Sequence, residues 1–288
     1  MADKETIRRL EKASLDVKLN LLDLARKGEI HIGGDLSVCE AMTVIWQYAM
    51  RYDTKNPRWA ERDRFILSKG HAAAVTSFNQ AAIGCYQDQE IFDEYGTDNG
   101  RFGMHSCNLA NPYVDVSTGS LGHGLPVAGG IAAALKKKGS DSKVFVVMGD
   151  GEQQEGSIWE AAMSASQYKL GNIVAVVDKN GYSIDGRTDD LMKVEPLAQK
   201  WRDFGWNVVS VDGHDIGALM DAFDSIPAKG DIPTVIVLES TKGHGVSFML
   251  DSPEWHCHDL TDEQLAAAKS EIMSAFEEKW GDERSAER

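Results

Sequence analysis

A single carboxylate, Asp150, lies between two glycines where an apolar run ends, in the stretch VVMGDGEQQEG. A second apolar run further along the chain ends in DKNG, which contains Asn180. A carboxylate, an amide oxygen and a backbone carbonyl form a set of hard oxygen ligands that suits Mg²⁺ or Ca²⁺ rather than zinc. Mg²⁺ usually takes its other ligands from water and from the phosphates of a bound molecule. Taken singly, each stretch is also typical of an ordinary tight turn. Taken together, they predict a cation site that holds a diphosphate.

Short β-branched runs separated by helical patterns provide the scaffold for these two loops. The predicted strands are 143–148, 172–178, 206–212 and 233–240. The predicted helices are 7–24, a helix from Ser37 with a capping box at Glu40, 127–138, a helix from Ser157 with Glu160, 215–223, and a last helix from Thr261 with Gln264. Apolar strands that alternate with helices are typical of a parallel sheet with helices on both faces. We therefore expect one α/β domain over residues 1–288, with both polar loops at the carboxyl edge of the sheet, where ligands bind.

Composition and charge exclude several classes of partner. The 288 residues carry a net charge of −15, which disfavours nucleic acid and anionic membrane surfaces as partners. The sequence contains no long uncharged apolar segment and no signal-peptide core at its start. Four cysteines are scattered without paired spacing. A reduced, cytoplasmic protein without membrane spans is expected.

Seven stretches in order along the chain resemble the amino-terminal domain of transketolases, and the Asp150 and Asn180 loops match the thiamin diphosphate motif. The stretches are HIGGDLSVCE, DRFILSKGHAAA, STGSLGHGLPVAGG, GDGEQQEGSIWEAA, KLGNIVAVVDKNGYSIDG, FGWNVVSVDGHD and SPEWH. The stretches lie between residues 31 and 256, and the resemblance extends from about residue 14 to 258. The resemblance implies the thiamin diphosphate-binding fold, with a parallel central sheet, and the diphosphate-binding domain of such an enzyme.

The resemblance also implies a cofactor site around the two loops. Asp150 and Asn180 would bind Mg²⁺ or Ca²⁺ through side-chain oxygens, and Tyr182 through its main-chain carbonyl. Gly151 would leave room for the diphosphate. Glu155 matches a carboxylate in the hydrogen-bond network that links paired active sites in the family. The cofactor-binding residues that the resemblance implies are Gly119, Leu121, Gly149, Gly151, Glu152 and Asn180. Lys242 is a further candidate, for binding the anion. For Lys242, and for Lys69, a solvated surface position is the alternative.

Transketolases line the channel to the cofactor with histidines, which can move protons near neutral pH. His31, His71 and His256 match three of these catalytic positions. His105 matches a fourth, but it stands in GMHSCN where the family commonly has Gly-His-Pro. Other departures are Cys257 in place of a glycine, His258 in place of a lysine and His123 in place of a frequent glutamine, while His214 is expected to be structural. These departures point to a specialised substrate.

The resemblance implies an enzyme that works only with a partner. Thiamin catalysis needs a carboxylate beside the aminopyrimidine, and transketolases place that glutamate on the following, pyrimidine-binding domain of the other protomer. The sequence ends at Arg288, where that domain would begin. We therefore expect a split transketolase, in which a second subunit carries the pyrimidine-binding and carboxy-terminal domains, assembled as an α2β2 heterotetramer. It would transfer a two-carbon ketol unit from a ketose, phosphorylated or an analogue, to an aldose.

Other functions remain open at this point. The alpha subunit of a 2-oxoacid dehydrogenase first component is also part of a split thiamin enzyme with a GDG motif, although HIGG, SKGHA and EWH are sugar-handling segments. Half of a deoxyxylulose-phosphate synthase is a further alternative. A catalytically idle paralogue that keeps the fold as a scaffold is a third. The donor and acceptor sugars stay undetermined, with a phosphate, a sulfonate or no anion on the substrate.

Overall fold

The computed structural model describes residues 3–281, and the remaining residues of the expected domain, 1–2 and 282–288, lie outside the described range. The helices are α1 Lys4–Lys27, α2 Ile32–Val44, α3 Ala73–Ala82, α4 Asp88–Glu94, α5 Gly124–Lys137, α6 Gly156–Gln167, α7 Thr188–Leu191, α8 Leu197–Asp203, α9 Ile216–Asp224 and α10 Asp262–Trp280. The strands are β1 Arg64–Leu67, β2 Val144–Gly149, β3 Ile173–Lys179, β4 Tyr182–Ser183, β5 Gly186–Arg187, β6 Asn207–Asp212 and β7 Thr234–Glu239. A π-helix at Ile45–Ala49 extends α2, and short 3₁₀-helices lie at Gly151–Gln154, Ser247–Met249 and Pro253–His256.

Five of the described strands form one parallel sheet in the order β1-β2-β3-β7-β6. The four strands predicted from sequence are confirmed as β2, β3, β6 and β7. Strands β2, β3 and β7 are rich in valine and isoleucine because helices cover both faces of the sheet, so most of their positions are buried. The edge strand β6 has only exposed and partly exposed positions. Strand β1 was not predicted, since RFIL is only four residues long and is flanked by charged residues.

Two apolar cores hold the layers together. On one face of the sheet, α1, α2, α3, α9 and α10 share a large apolar cluster that includes Leu21, Leu36 and Phe145, with α10 packed against α1. On the other face, α5, α6 and α8 pack through a second cluster that contains Trp201 and Trp206. The expected α/β fold with helices on both faces is therefore confirmed. Within the described residues, no helix is long and apolar enough to span a membrane.

Two of the three predicted capping boxes are wrong. Helix α2 begins at Ile32, so Ser37 lies inside it, and the Ser37 hydroxyl donates to the Asp178 carboxylate at 2.6 Å. Helix α6 begins one residue before Ser157, whose hydroxyl donates to the Gly122 carbonyl at 2.8 Å. Of the three predicted boxes, only the one at Thr261 and Gln264 is present, at the start of α10. In both wrong cases the serine hydroxyl joins distant loops of the site instead of capping a helix.

Candidate active site

The two loops that follow β2 and β3 lie side by side, as expected for neighbouring parallel strands. The Asp150 carboxylate is 1% exposed and accepts from the backbone N–H of Gly181 at 2.7 Å. The Asn180 side-chain oxygen accepts from the backbone N–H of Tyr182 at 3.1 Å. Burial, and then the neighbouring Asp178, raise the pKa of Asp150 to about 7. A divalent cation would relieve this repulsion, and the oxygens of Asp150 and Asn180 fit Mg²⁺ or Ca²⁺.

A buried ion pair lies directly behind these loops. The Lys69 ammonium is 2.5 Å from the Asp178 carboxylate and 3.0 Å from the Gly34 carbonyl, and both charged side chains are almost fully buried. The Asn180 side-chain amide also donates to Asp178 at 2.9 Å, and Ser240 donates to it as well. This network orients Asn180 with its amide nitrogen toward Asp178 and its oxygen toward the backbone N–H of Tyr182. The surface alternative for Lys69 is therefore wrong.

Lys242 is a second buried cation near the same loops, so its surface alternative is also wrong. Its ammonium lies 2.8 Å from Nδ1 of His256 and 5.7 Å from the ring centroid of Tyr182. Burial, and then the charge of Lys69, lower the pKa of Lys242 to about 8. Because Asp178 neutralises Lys69, Lys242 is the lysine that provides local positive charge suited to an anionic ligand.

The four histidines that match the channel positions form one cluster centred on His31. The ring centroid of His31 lies 5.3 Å from that of His71, 6.1 Å from that of His105 and 5.0 Å from that of His256. Burial is the main cause that lowers the pKa of His31 to about 4 and that of His256 to about 3, and it holds the pKa of His71 well below its ordinary value. These three imidazoles are neutral at pH 7, so each can both accept and donate a hydrogen bond.

The loop before α5 lies next to the histidines. Gly119 adopts a φ of +147°, and a β-carbon on it would lie 3.2 Å from the His105 ring, so glycine is required there. Leu121 is partly exposed. Glu152 accepts from the backbone N–H groups of Gly122 at 2.8 Å and Gly149 at 3.1 Å, and from the Ser68 hydroxyl. Both Glu152 oxygens thus accept hydrogen bonds from the protein, and these bonds join the loop before α5 to the loops after β1 and β2. A direct Glu152 contact with the cofactor stays a prediction.

Gly151 is in close contact with a side chain that sequence reasoning missed. A β-carbon there would lie 2.5 Å from the Ser183 hydroxyl oxygen. That hydroxyl is buried and has no hydrogen-bond partner among the described residues. A β-carbon on Gly149 would meet open space, so packing does not require glycine at that position. Glu155 is exposed at the start of α6, and its role in linking active sites stays a prediction.

Sequence reasoning also missed Asp178 and Ser37. Their signals were present: Asp178 is the acidic end of an otherwise apolar strand, and Ser37 is a polar residue in a helix that is buried on every side. Neither residue type predicts which residue it contacts, because the contacts join segments far apart in the chain.

His123 is exposed and lies at the start of α5.

A second group with metal-ligand spacing lies elsewhere, at Glu40, His214 and His244. Its geometry argues against a metal. The two imidazole rings are stacked at 3.5 Å with planes 7° apart, so their in-plane lone pairs do not converge on one point. Nε2 of His214 accepts from the backbone N–H of Thr241 at 2.9 Å, which places the ring hydrogen on Nδ1, toward Glu40. Lys18 already pairs with the Glu40 carboxylate. This group is a structural network, as expected for His214.

Comparison with known proteins agrees with the geometry. Residues 13–280 match the family model described as transketolase, thiamine diphosphate binding domain. One of the subunits of the apulose-4-phosphate transketolase of Phocaeicola vulgatus is 37% identical over 269 residues, which cover 93% of this chain and 95% of that protein. The 6-deoxy-6-sulfo-D-fructose transketolase subunit of a Clostridium species is 36% identical over 261 residues, which cover 91% of this chain and 94% of that protein.

Solved structures show the same fold. The transketolase of Leishmania mexicana superposes with a TM-score of 0.83 at 27% identity, over 95% of this chain and 42% of that one. The Campylobacter jejuni transketolase gives a TM-score of 0.84 at 26% identity, over 94% of this chain and 43% of that one. The chain thus spans less than half the length of these enzymes, but nearly all of the two subunit relatives. It belongs to the transketolase family, as an amino-terminal, thiamine diphosphate-binding subunit.

Proposed function

We propose that this chain and a second subunit form a transketolase that moves a two-carbon ketol unit from a ketose to an aldose. The observation that carries the proposal is the cluster of four histidines around His31, next to the loops of Asp150 and Asn180. When bound, thiamin diphosphate supplies the carbon nucleophile that carries the two-carbon unit. The residues of this chain bind that cofactor, orient the sugar and move protons.

The cofactor's diphosphate is held through a cation in this proposal. Asp150, Asn180 and the carbonyl of Tyr182 bind Mg²⁺, or Ca²⁺, with the diphosphate and water as the remaining ligands. Lys242, whose hydrogen-bond partner is the neutral His256, lowers the electrostatic cost of placing that anion in a protein of net charge −15, and Lys69 neutralises the neighbouring Asp178. The unpartnered hydroxyl of Ser183, next to Gly151, supplies a further donor. Leu121 and Gly119 contact the aminopyrimidine end of the cofactor.

The histidines handle protons on the sugar hydroxyls. The Lys242 ammonium donates to Nδ1 of His256, so the hydrogen of that neutral ring is on Nε2, where it can donate to a sugar oxygen. His31 has a buried Nδ1 without a partner among the described residues, and this atom can accept a hydrogen bond or a proton. His71 and His105 complete the lining around the substrate.

A partner subunit completes the site in this proposal. It carries the pyrimidine-binding and carboxy-terminal domains, and with them the carboxylate that activates the cofactor, in an α2β2 assembly. The relatives named as transketolase subunits, which this chain matches over nearly their whole length, support a divided enzyme. Exposed apolar side chains support a covered surface around the site, among them Leu121, Val127, Met163, Ile184 and Met192. We place the enzyme in the cytoplasm, which its four unpaired cysteines support.

The substrate is a ketose with an anionic end. This class is supported by the names of the two relatives, one a sugar phosphate and the other a sulfonated sugar. The test combines this chain, its partner subunit, thiamin diphosphate, Mg²⁺ and an aldose phosphate as acceptor with apulose 4-phosphate, 6-deoxy-6-sulfofructose, fructose 6-phosphate and xylulose 5-phosphate as donors in turn. Release of an aldose two carbons shorter than the donor, with a ketose two carbons longer than the acceptor, supports the proposal. Decarboxylation of a 2-oxo acid without ketol transfer would instead support the 2-oxoacid dehydrogenase alternative, and no cofactor binding at all would support the scaffold.

A further inference from the structure

Two hydrogen bonds join the segment that carries His31 to the segment that carries Lys242, Gly243 and His256. At the base, the backbone N–H of Gly243 donates to the Gly33 carbonyl at 3.0 Å. Within the second segment, the Lys242 ammonium donates to Nδ1 of His256 at 2.8 Å. At the outer end, the Cys257 thiol donates to a carboxylate oxygen of Glu29 at 3.1 Å. The segments are also in close contact, since a β-carbon on Gly33 would lie 2.5 Å from the Trp255 carbonyl oxygen.

The outer tie, between Glu29 and Cys257, differs from the inner one, between Gly33 and Gly243. Gly33 and Gly243 are buried, whereas Glu29 is exposed and Cys257 is partly exposed. The backbone of Glu29 is fixed because the Tyr95 hydroxyl donates to its carbonyl at 3.2 Å. Only the side chains of Glu29 and Cys257 therefore have to separate for the outer end to open, while the inner tie stays in place.

The position of this tie is next to the chemistry. Glu29 is two residues before His31, and Cys257 directly follows His256, whose ring centroid lies 5.0 Å from that of His31. A polar cavity of about 650 Å³ opens beside the tie, and both of its residues line that cavity. Breaking the tie would therefore enlarge the space open to a sugar at this end of the histidine cluster.

We propose that Glu29 and Cys257 form a latch across the mouth of the histidine cluster, and that the latch limits the length of the sugar that the enzyme accepts. The inference rests on the proposed function, because it names which side chains select the substrate of that site. The latch acts by excluding the far carbons of a long sugar, whereas the histidines contact the carbons that react. Cys257 is a hydrogen-bond donor here and not a nucleophile: burial, and then the Glu29 carboxylate, raise its pKa to about 12.

The latch can be tested without turnover. The full chain is treated with iodoacetamide, and the alkylation rates of Cys257 and Cys107 are read from the same sample by peptide mass spectrometry. Cys107 is an internal reference, because the backbone N–H groups of Leu109 and then Ala110 lower its pKa, independently of Glu29. In Glu29→Gln, Cys257 should react about fivefold faster, since thiolate is the reactive form and its fraction changes tenfold per pKa unit. Cys107 should keep its rate.

The control for charge is Glu254→Gln, which removes an exposed carboxylate from the same segment as Cys257. Its Cys257 should react at the wild-type rate. An unchanged Cys257 rate in Glu29→Gln, or an equal increase in Glu254→Gln, would overturn the latch. The alkylation experiment uses no substrate, so its result does not depend on ketol transfer. Absence of ketol transfer by the chain and its partner would refute the proposed function but not the hydrogen bond between Glu29 and Cys257.

The specificity claim is tested with the assembled enzyme. The ratio of kcat/KM for fructose 6-phosphate to that for xylulose 5-phosphate compares a longer donor with a shorter one. In Cys257→Gly the ratio should rise at least about threefold, a change of less than about 1 kcal/mol that loss of one weak contact readily supplies. In Cys257→Ser, whose hydroxyl can still donate to Glu29, it should stay within about twofold. An unchanged ratio in both Cys257→Gly and Glu29→Ala, the two variants that remove the donor and the acceptor of the tie, would overturn the selective role.

Discussion

Replacing Lys69 with methionine tests the buried network that supports the cofactor loops. The Lys69 ammonium is 1% exposed and its partner, the Asp178 carboxylate, is fully buried at 2.5 Å. Methionine keeps the length of the side chain and removes the charge. The carboxylate then keeps only neutral donors, namely the hydroxyls of Ser37 and Ser240 and the side-chain amide of Asn180. The change therefore leaves an unpaired charge in the protein interior.

The expected loss of stability follows from that arrangement. Removing one partner of a buried ion pair typically costs about 3–5 kcal/mol, because the remaining charge is uncompensated. Three neutral donors still stabilise Asp178, so we expect a loss at the lower end, about 3 kcal/mol, or a fall of about 6–10 °C in Tm. The double variant Lys69→Met with Asp178→Asn removes both charges, and it should recover most of the loss.

The sign of the pH dependence gives a second check on the same variant. Burial opposes ionisation of Asp178 and raises its pKa. The charge of Lys69, followed by the hydrogen bonds to the carboxylate, outweighs burial, so the pKa of Asp178 is lowered below its ordinary 3.8. A lowered carboxyl pKa stabilises the folded state at neutral pH, and that contribution is lost as the pH falls through the ordinary value and below. The deficit of Lys69→Met should therefore be present at pH 7 and should be lost as the pH falls below about 3.8, through the lowered pKa of Asp178.

The assay is urea denaturation of the cofactor-free chain, followed by circular dichroism and tryptophan fluorescence. Lys193→Met makes the same substitution at an exposed position and should change the free energy of unfolding by less than about 0.5 kcal/mol. A loss below about 1 kcal/mol in Lys69→Met would refute the argument, because breaking a buried pair costs more than that. A double variant no more stable than Lys69→Met would also refute it.

Two further predictions concern the cofactor and the histidines. Asp150→Asn should abolish Mg²⁺-dependent binding of thiamin diphosphate in calorimetry of the assembled enzyme, whereas Asp185→Asn, at an exposed position in the same loop region, should leave it intact; equal binding by both variants would count against the cation site. The imidazole of His256 should show no protonation between pH 8 and 6 in nuclear magnetic resonance titration of the chain, because burial, followed by the charge of Lys242, lowers its pKa to about 3. A titration midpoint near the ordinary 6.5 would contradict the described environment.

Local sequence patterns were sufficient for the parts of the fold that repeat regularly. Strands such as Val144–Gly149 are nearly continuous runs of apolar residues, because both faces of the sheet are covered, and few other local structures produce that pattern. The adjacency of the Asp150 and Asn180 loops followed from the parallel topology alone. The patterns at Ser37 and Ser157 misled, because a serine three residues before a glutamate also occurs inside a helix, where tertiary contacts decide its partner.

The candidate site could be predicted only where a motif marked it. The histidine segments were predicted individually, but their arrangement around His31 depends on how distant segments pack. The burial of Lys69 could not be predicted locally, since lysine is usually exposed and its partner Asp178 is 109 residues away. The tie between Glu29 and Cys257 spans 228 residues, and its thiol occupies a position where the family resemblance suggested glycine.

The most direct test of the central claim is ketol transfer measured with only this chain, with only its partner and with both, in the presence of thiamin diphosphate and Mg²⁺. If the cofactor lies between two subunits, as we propose, turnover should appear only in the mixture. It should reach its maximum at an equal molar ratio, and thiamin diphosphate should bind far more tightly to the mixture than to either part. Tight cofactor binding and full ketol transfer by this chain without a partner would contradict the account.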